Sequence, residues 1–299
     1  MSIVVLAGGL GGSRCVDALA RAAGAENVTA VVNVGDDVEI LGLHVSPDLD
    51  TVLYTLAGLL DEGRGWGVRD ETYGALGMAE ALGEERWFTL GDRDIGLQLV
   101  RTRLLRDGVS LSGVVARLTK ALGLSVRILP ATDDRLRTKI LTAGGELDFQ
   151  DWFVRRGHAD AVTGVRYEGA EEARPAPGVT EAIAEAEAVV VAPSNPFVSI
   201  GPILAVPGIR EALGGKDVVA VSPLVGGKAL RGPLAEMMSS LGHEPSAAGV
   251  AGLYGELISR FVVDLADADT PGAVVSDIVM VEPERRAEVG RGLLEVVLG

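Results

Sequence analysis

Four carboxylates crowd into fifteen residues near the start of the chain: Asp36 and Asp37 in Asn33-Val34-Gly35-Asp36-Asp37, and Asp48 and Asp50 in Ser46-Pro47-Asp48-Leu49-Asp50-Thr51. Charges of one sign held this close repel unless a cation lies among them. Hard oxygen ligands of this kind suit Mg²⁺, which would also bind a substrate phosphate. The same residues also have ordinary uses: Asp48 can cap a helix, and Asp36 and Asp37 can sit in a turn. Upstream, Gly8-Gly9-Leu10-Gly11-Gly12-Ser13-Arg14 joins an apolar run to an Ala/Leu-rich segment. Backbone N–H groups at such a helix start, with the charge of Arg14, can hold an anion; a tight strand-to-helix turn is the plainer alternative. The spacing fits neither the dinucleotide fingerprint, where Arg14 occupies the third glycine position, nor the Walker loop, which needs Gly-Lys-Ser/Thr.

Three further strings are polar where a loop would leave a strand. Leu90-Gly91-Asp92-Arg93-Asp94 opens a segment with Leu97, Val100 and Leu104 at helical spacing, so those three are expected to face the core and Asp94 and Arg101 to form a solvated pair. Ala192-Pro193-Ser194-Asn195-Pro196 offers the donors and acceptors that recognition of a base or sugar needs. Ser222-Pro223-Leu224-Val225-Gly226-Gly227-Lys228 pairs glycines with a cation, a second candidate diphosphate cradle. Other chemistries lack their residues. There is no Gly-x-Ser-x-Gly elbow. His44, His158 and His243 are scattered without zinc-ligand spacing, and Cys15 lies inside an apolar helix as core.

The elements that must position these groups read as a β–Gly-loop–α–β start: strands over 3–7 and 28–34, a helix to about 23 and another over 49–60. Helices are expected over 71–82, 94–107 and 112–122, the last capped by Ser110, with strands over 125–129 and 138–142. The Gly/Glu/Ala/Pro-rich stretch 157–178 reads as a surface connection. Strands resume at 189–193, 218–223, 262–264 and 277–281, and a helix over 283–297 closes the chain. The expectation is one α/β domain over 1–299. Its Rossmann-like, doubly wound, mainly parallel core covers about 1–60 and 185–299, and a largely helical insertion over about 61–184 covers the substrate. Ligands of such folds bind outside the carboxyl ends of the strands, which are the loops singled out above.

Composition sets the outer limits. The chain has 299 residues, 47% of them hydrophobic, and a formal charge of −15. The mean field repels phosphate, so a general role on nucleic acid or anionic membranes is not expected, and any phosphate site must be local. One cysteine permits no intrachain disulfide. With no leader read ahead of the first strand and no apolar run long enough for a bilayer, a cytoplasmic location is expected.

Taken together the strings resemble the 2-phospho-L-lactate transferase family of coenzyme F-420 biosynthesis, over nearly the whole chain. The resemblance rests on AGGLGGSR (7–14), NVGDD (33–37), SPDLDTVLYTLAG (46–58), WGVRDET (66–72), LGDRD (90–94), FQDWFVRR (149–156), APSNPFVSIGPIL (192–204) and SPLVGGKALRGP (222–233). Archaeal members tend to carry Thr and Lys in the first loop, where this chain has Ser13 and Arg14. The resemblance implies a Mg²⁺-dependent transfer. A guanosine-diphosphate-linked three-carbon acid is the donor, and the ribityl hydroxyl of 7,8-didemethyl-8-hydroxy-5-deazariboflavin is the acceptor. GMP leaves, and the acid stays on the acceptor through its phosphate. It further implies that Asp50 and Arg93 contact the deazaflavin. Asp48 and Asp50 would serve catalysis, and Asp36, Asp37, Asp48 and Asp50 the metal. Gly9, Gly11, Gly12, Ser13 and Arg14, Ser194 and Asn195, and Gly227 and Lys228 would hold the guanine nucleotide and its diphosphate. The family's donors are lactyl and enolpyruvyl; the Ala/Gly/Arg-rich, Lys-poor composition leans to the enolpyruvyl one. Homodimer assembly is left open. The alternative is a non-catalytic nucleotide-sugar-binding regulator of related fold, which has no need of the PDLDT and LGDRD carboxylates. A dehydrogenase fails on the broken glycine fingerprint.

Overall fold

A computed structural model describes residues 1–299. Its centre is a seven-stranded sheet whose order in space is Val274–Val275, Arg260–Val263, Val218–Val221, Ala188–Val191, Ile3–Ala7 (β1), Val28–Val32 (β2) and Arg127–Pro130. Every pairing in it is parallel. The runs IVVLA, VVV and VVAV are apolar throughout because both faces are covered: β1, 188–191 and 218–221 are buried at every position. The chain leaves β1 in one direction to β2 and returns on its other side as Ala188–Val191. The strand order therefore reverses between β1 and 188–191, and the loops after these two strands, 8–14 and 192–195, face each other across a crevice.

Helix α1 (Gly9–Ala23) rises from the first of these loops and packs on the closing helix Arg286–Leu298. The two backbones approach so closely that a Cβ at Gly290 would lie 2.0 Å from the Ala18 carbonyl oxygen. Helix α2 (Pro47–Leu56) starts with Pro47 in its first turn, followed by Asp48 and Asp50. Helices α3 (Gly74–Ala81), α4 (Asp92–Arg106) and α5 (Leu111–Ala121) follow, and Ser110 caps α5 by accepting from the Gly113 N–H. No helix is long and apolar enough to cross a membrane.

Three expectations change. The region 61–184 is not largely helical and does not stand wholly outside the core. Residues 127–130 form an edge strand of the main sheet, and 137–142, 145–148 and 162–168 build a separate antiparallel sheet. The stretch 157–178 thus contains a seven-residue strand; its half-buried pattern, one face packed and one wet, hid it among glycines and charges. Residues 277–281 do not form a strand, although Ile278 and Met280 are buried. Their carbonyls are taken instead by a side chain: Arg286 Nε donates to Met280 O at 3.1 Å and Nη2 to Val281 O at 3.3 Å. On α4 the apolar stripe is only part of the buried face: Leu104 is buried and Leu97 packs against the core. Val100 is exposed, while Asp94, Gln98, Arg101 and Leu104 point inward.

Candidate active site

At the crevice lies a cavity of about 770 Å³, lined by the Gly8–Gly11 loop, the start of α2, Asp94, the 193–195 loop, residues 229–234 and the buried side of 278–281. The glycines of the first loop bring it against the fourth. A Cβ at Gly11 would meet the Pro193 carbonyl oxygen at 2.2 Å, and one at Gly12 would meet Ser194 Oγ at 2.8 Å. Ser194 closes the contact by donating from Oγ to Gly8 O at 2.8 Å and accepting the Gly8 N–H at 3.3 Å. The N-cap of α1 is Gly8, which has no side chain to cap with, so the helix start and the positive end of its dipole open on the cavity, with the Asp48 carboxylate at the Gly9 N–H.

The four carboxylates of the acidic cluster are all buried, but they have different employments. Asp37 accepts from Ser46 Oγ at 2.9 Å, and His44 Nε2 lies 2.8 Å from the same oxygen, so Asp37 braces the turn outside the cavity lining. Asp50 lines the cavity, yet both its oxygens are held by the guanidinium of Arg101, and Gln98 Nε2 donates to Oδ2 at 2.8 Å. Asp36 and Asp48 remain. Asp36 Oδ1 is buried without any partner. Burial first, then the neighbouring Asp48, holds the Asp36 carboxyl well above its ordinary range. Asp48 accepts from Asn33 Nδ2 at 2.9 Å, but burial pushes it up to about 6. No three acidic, His or Cys side chains stand close enough to form a metal cage of their own. Of the four, Asp36 and Asp48 are the two that line the cavity without a cationic partner; Asp37 lies outside the lining and Asp50 is paired with Arg101.

Helix α4 supplies the opposite wall. Its periodicity turns Asp94, Gln98 and Arg101, at i, i+4 and i+7, toward α2. Arg101 is fully buried and Asp94 is 6% exposed, so their expected solvated pair does not form; Arg101 pairs with Asp50, and Asp94 accepts from Tyr54 Oη at 2.6 Å. Arg93 lies about 100° round the helix from Asp94. It is exposed, outside the cavity lining, and its guanidinium donates to Arg69 O at 3.0 Å. The structure does not bring Arg93 to the cavity with Asp50.

Among the other expected contacts, Gly9, Gly11, Arg14, Ser194 and Asn195 line the cavity and Gly12 and Ser13 do not. Ser13 is buried, donating to Leu10 O and accepting from Thr55. Asn195 caps its own turn, with Oδ1 accepting from Phe197 and Val198 N–H groups, so its carbonyl is not free to read a base. Gly227 and Lys228 lie at a tight hairpin turn outside the lining; Ser222, Pro223 and Val225 before the turn line the cavity, and after it the cation at the cavity is Arg231. Arg14 is buried with its Nε unpartnered and its Nη2 on Glu62 at 2.9 Å; Glu62 in turn accepts from Arg286 at 2.5 Å. A ladder of rings lines the outer wall: Phe149 stacks on Phe153 at 5.3 Å and 10°, and Phe153 on His158 at 5.6 Å and 23°.

A family model described as 2-phospho-L-lactate transferase matches residues 3–286. The chain belongs to the 2-phospho-L-lactate transferase family. Within that family, a phosphoenolpyruvate transferase of Thermobifida fusca is 43% identical over 317 residues, covering 100% of this chain and 98% of the relative. One of Streptomyces coelicolor is 46% identical over 277 residues, covering 90% and 87%. A 2-phospho-L-lactate transferase of Methanosarcina mazei is 40% identical over 266 residues, covering 89% and 88%. A solved structure of a Bacillus halodurans protein of the UPF0052 family superposes with a TM-score of 0.59 at 16% identity, covering 100% of this chain and 99% of that one, and shares the fold. The chain is thus a transferase of this 2-phospho-L-lactate transferase type, and the regulator and dehydrogenase readings are set aside.

Proposed function

We propose that this transferase moves an enolpyruvyl phosphate group from its guanosine-diphosphate-linked donor to the ribityl hydroxyl of 7,8-didemethyl-8-hydroxy-5-deazariboflavin, releasing GMP, in coenzyme F-420 biosynthesis. One observation carries the reading. At the strand-order reversal the glycine-capped start of α1 and the buried Arg14, its Nε unpartnered, ask for an anion, while Asp36 and Asp48, which line the same cavity, ask for a cation. A diphosphate complexed to a divalent ion satisfies both demands in one ligand.

The residues fit the metal that this implies. Mg²⁺ is bound by one or two carboxylates with substrate phosphates and water, and Asp36 Oδ1 lacks a partner. Asp36 and Asp48 would hold it, and when bound it would neutralise charge developing on the phosphate oxygens. The chain's own groups would do the positioning. The Gly8–Gly11 backbone and Arg14 would fix the diphosphate, the Phe149–Phe153–His158 ladder would take a planar ring, and residues 229–233 with Arg231 would shut out water. Attack by an alcohol on phosphorus mainly requires positioning, charge neutralisation and a carboxylate for the proton.

The enolpyruvyl donor is supported by the names of the actinobacterial relatives; the archaeal relative named for 2-phospho-L-lactate supports the other branch. Steady-state comparison of the two guanylated donors tests the choice. The enolpyruvyl donor is expected to give the higher kcat/KM, and an equal or reversed preference would overturn it.

A further inference from the structure

Five carboxylates stand at or beside the cavity, and four are engaged. Asp37 is held by Ser46 and His44, and Asp50 by Arg101 and Gln98. An oxygen locked to a guanidinium that never loses its proton is a poor proton acceptor. Asp36 and Asp48 form the cation-binding pair of the reading above. Asp94 lies on the opposite wall, lines the cavity and is 6% exposed. Its Oδ1 accepts from Tyr54 Oη at 2.6 Å and from Gln98 Nε2 at 3.1 Å, and no protein group donates to Oδ2. The carboxyl is fixed through one oxygen and open through the other.

We infer that Asp94 is the catalytic base, taking the proton of the acceptor hydroxyl through Oδ2. The assignment rests on the transfer reading. In the step, the acceptor O–H gives its proton to Asp94 and the oxygen bonds to the phosphorus that carries the three-carbon acid. The bond from that phosphorus to the bridging oxygen breaks, and GMP leaves with the electron pair. The charged and titratable groups facing Asp94 are Asp50 and Tyr54 from α2, Arg101 from α4, and Glu71, which accepts the Asp94 backbone N–H at 3.2 Å. Burial, then Asp50, lifts the Asp94 carboxyl to about 6, while the Tyr54 hydroxyl pulls it down. A base of this strength is ionised at neutral pH and still able to hold a proton.

The test is the pH dependence of turnover in the full chain with Mg²⁺, the guanylated donor and the deazaflavin alcohol, for wild type, Asp94→Asn and Tyr54→Phe. Asn keeps the shape and can still accept from Tyr54. Asp94→Asn is expected to lower kcat on the order of 10²- to 10⁴-fold, with donor binding unchanged and the fall in rate below about pH 6 abolished. Tyr54→Phe removes the donor that stabilises the carboxylate, so its acid limb is expected to move to higher pH. A purely structural hydrogen bond would not move that limb, and this variant decides the matter if Asp94→Asn does not fold. An Asp94→Asn enzyme as fast as wild type, or a Tyr54→Phe limb that stays in place, would overturn the assignment alone. A wild type that releases no GMP would overturn the transfer reading beneath it.

Discussion

Replacing Arg101 with Met tests whether the wall between α2 and α4 is built as described. Arg101 is fully buried, and the Asp50 side chain that it grips is 7% exposed. Its Nη1 donates to Asp50 Oδ2 at 3.0 Å and to Gln98 Oε1 at 2.6 Å, and its Nη2 bonds Asp50 Oδ1. Met fills much of the volume but leaves Asp50 as a buried anion with Gln98 as its remaining donor. Breaking a buried pair from one side costs about 3–5 kcal/mol, because the surviving charge stays desolvated. For a chain of this length each kcal/mol moves the melting temperature by roughly 2–4 °C, so a fall of roughly 6–20 °C is expected. Urea unfolding should show a lower midpoint at an unchanged slope. The double variant Asp50→Asn/Arg101→Met removes the orphaned charge and should recover a large part of the loss, far from the sum of the single changes. A loss below about 1 kcal/mol, the range of exposed ion pairs, would refute the buried pair and the geometry of the whole wall.

Two further outcomes follow from the site. The Asp48 carboxyl rises from 3.8 to about 6 on folding, so its stabilising contribution is present below about pH 4 and lost as pH rises through about 6. In EDTA above pH 6, Asp48→Asn should therefore melt higher than wild type, by up to ~3 kcal/mol of stability, while abolishing turnover; a lower melting temperature would contradict the strained, metal-ready pair. Glu62 joins Arg14 to Arg286. Glu62→Gln should raise the donor KM about ten-fold, or ~1.4 kcal/mol, and leave the acceptor KM unchanged; equal changes in both would remove Arg14 from the donor site.

How much of this was legible follows from sequence distance. The parallel core was readable because its strands are short, mainly apolar runs, most of them followed within two residues by Gly, Pro, Asn or Ser. The acidic cluster was readable because its members lie within fifteen residues. Its division of labour was not, since the Asp50 partner lies 51 residues away on a helix whose apolar residues marked only part of the buried face. The polar stripe Asp94, Gln98, Arg101 has helical spacing, and treating it as a candidate face would have found it. Nothing local joins Glu62 to Arg286, 224 residues apart, or sets Arg286 against the backbone that 277–281 would have used as a strand. Asn195 and Ser194 read as base-recognising groups because loop polarity is visible in sequence, whereas the turn that consumes it is not.

The most direct measurement is the stoichiometry of the complete reaction. Purified protein, Mg²⁺, the enolpyruvyl guanosine-diphosphate donor and the deazaflavin alcohol are mixed, and GMP and the acceptor phosphodiester are counted together by chromatography and mass. One GMP for each phosphodiester, with neither formed when the acceptor or Mg²⁺ is omitted, is the expected result. GMP released without the acceptor, or an acceptor recovered unmodified beside an intact donor, would contradict the account.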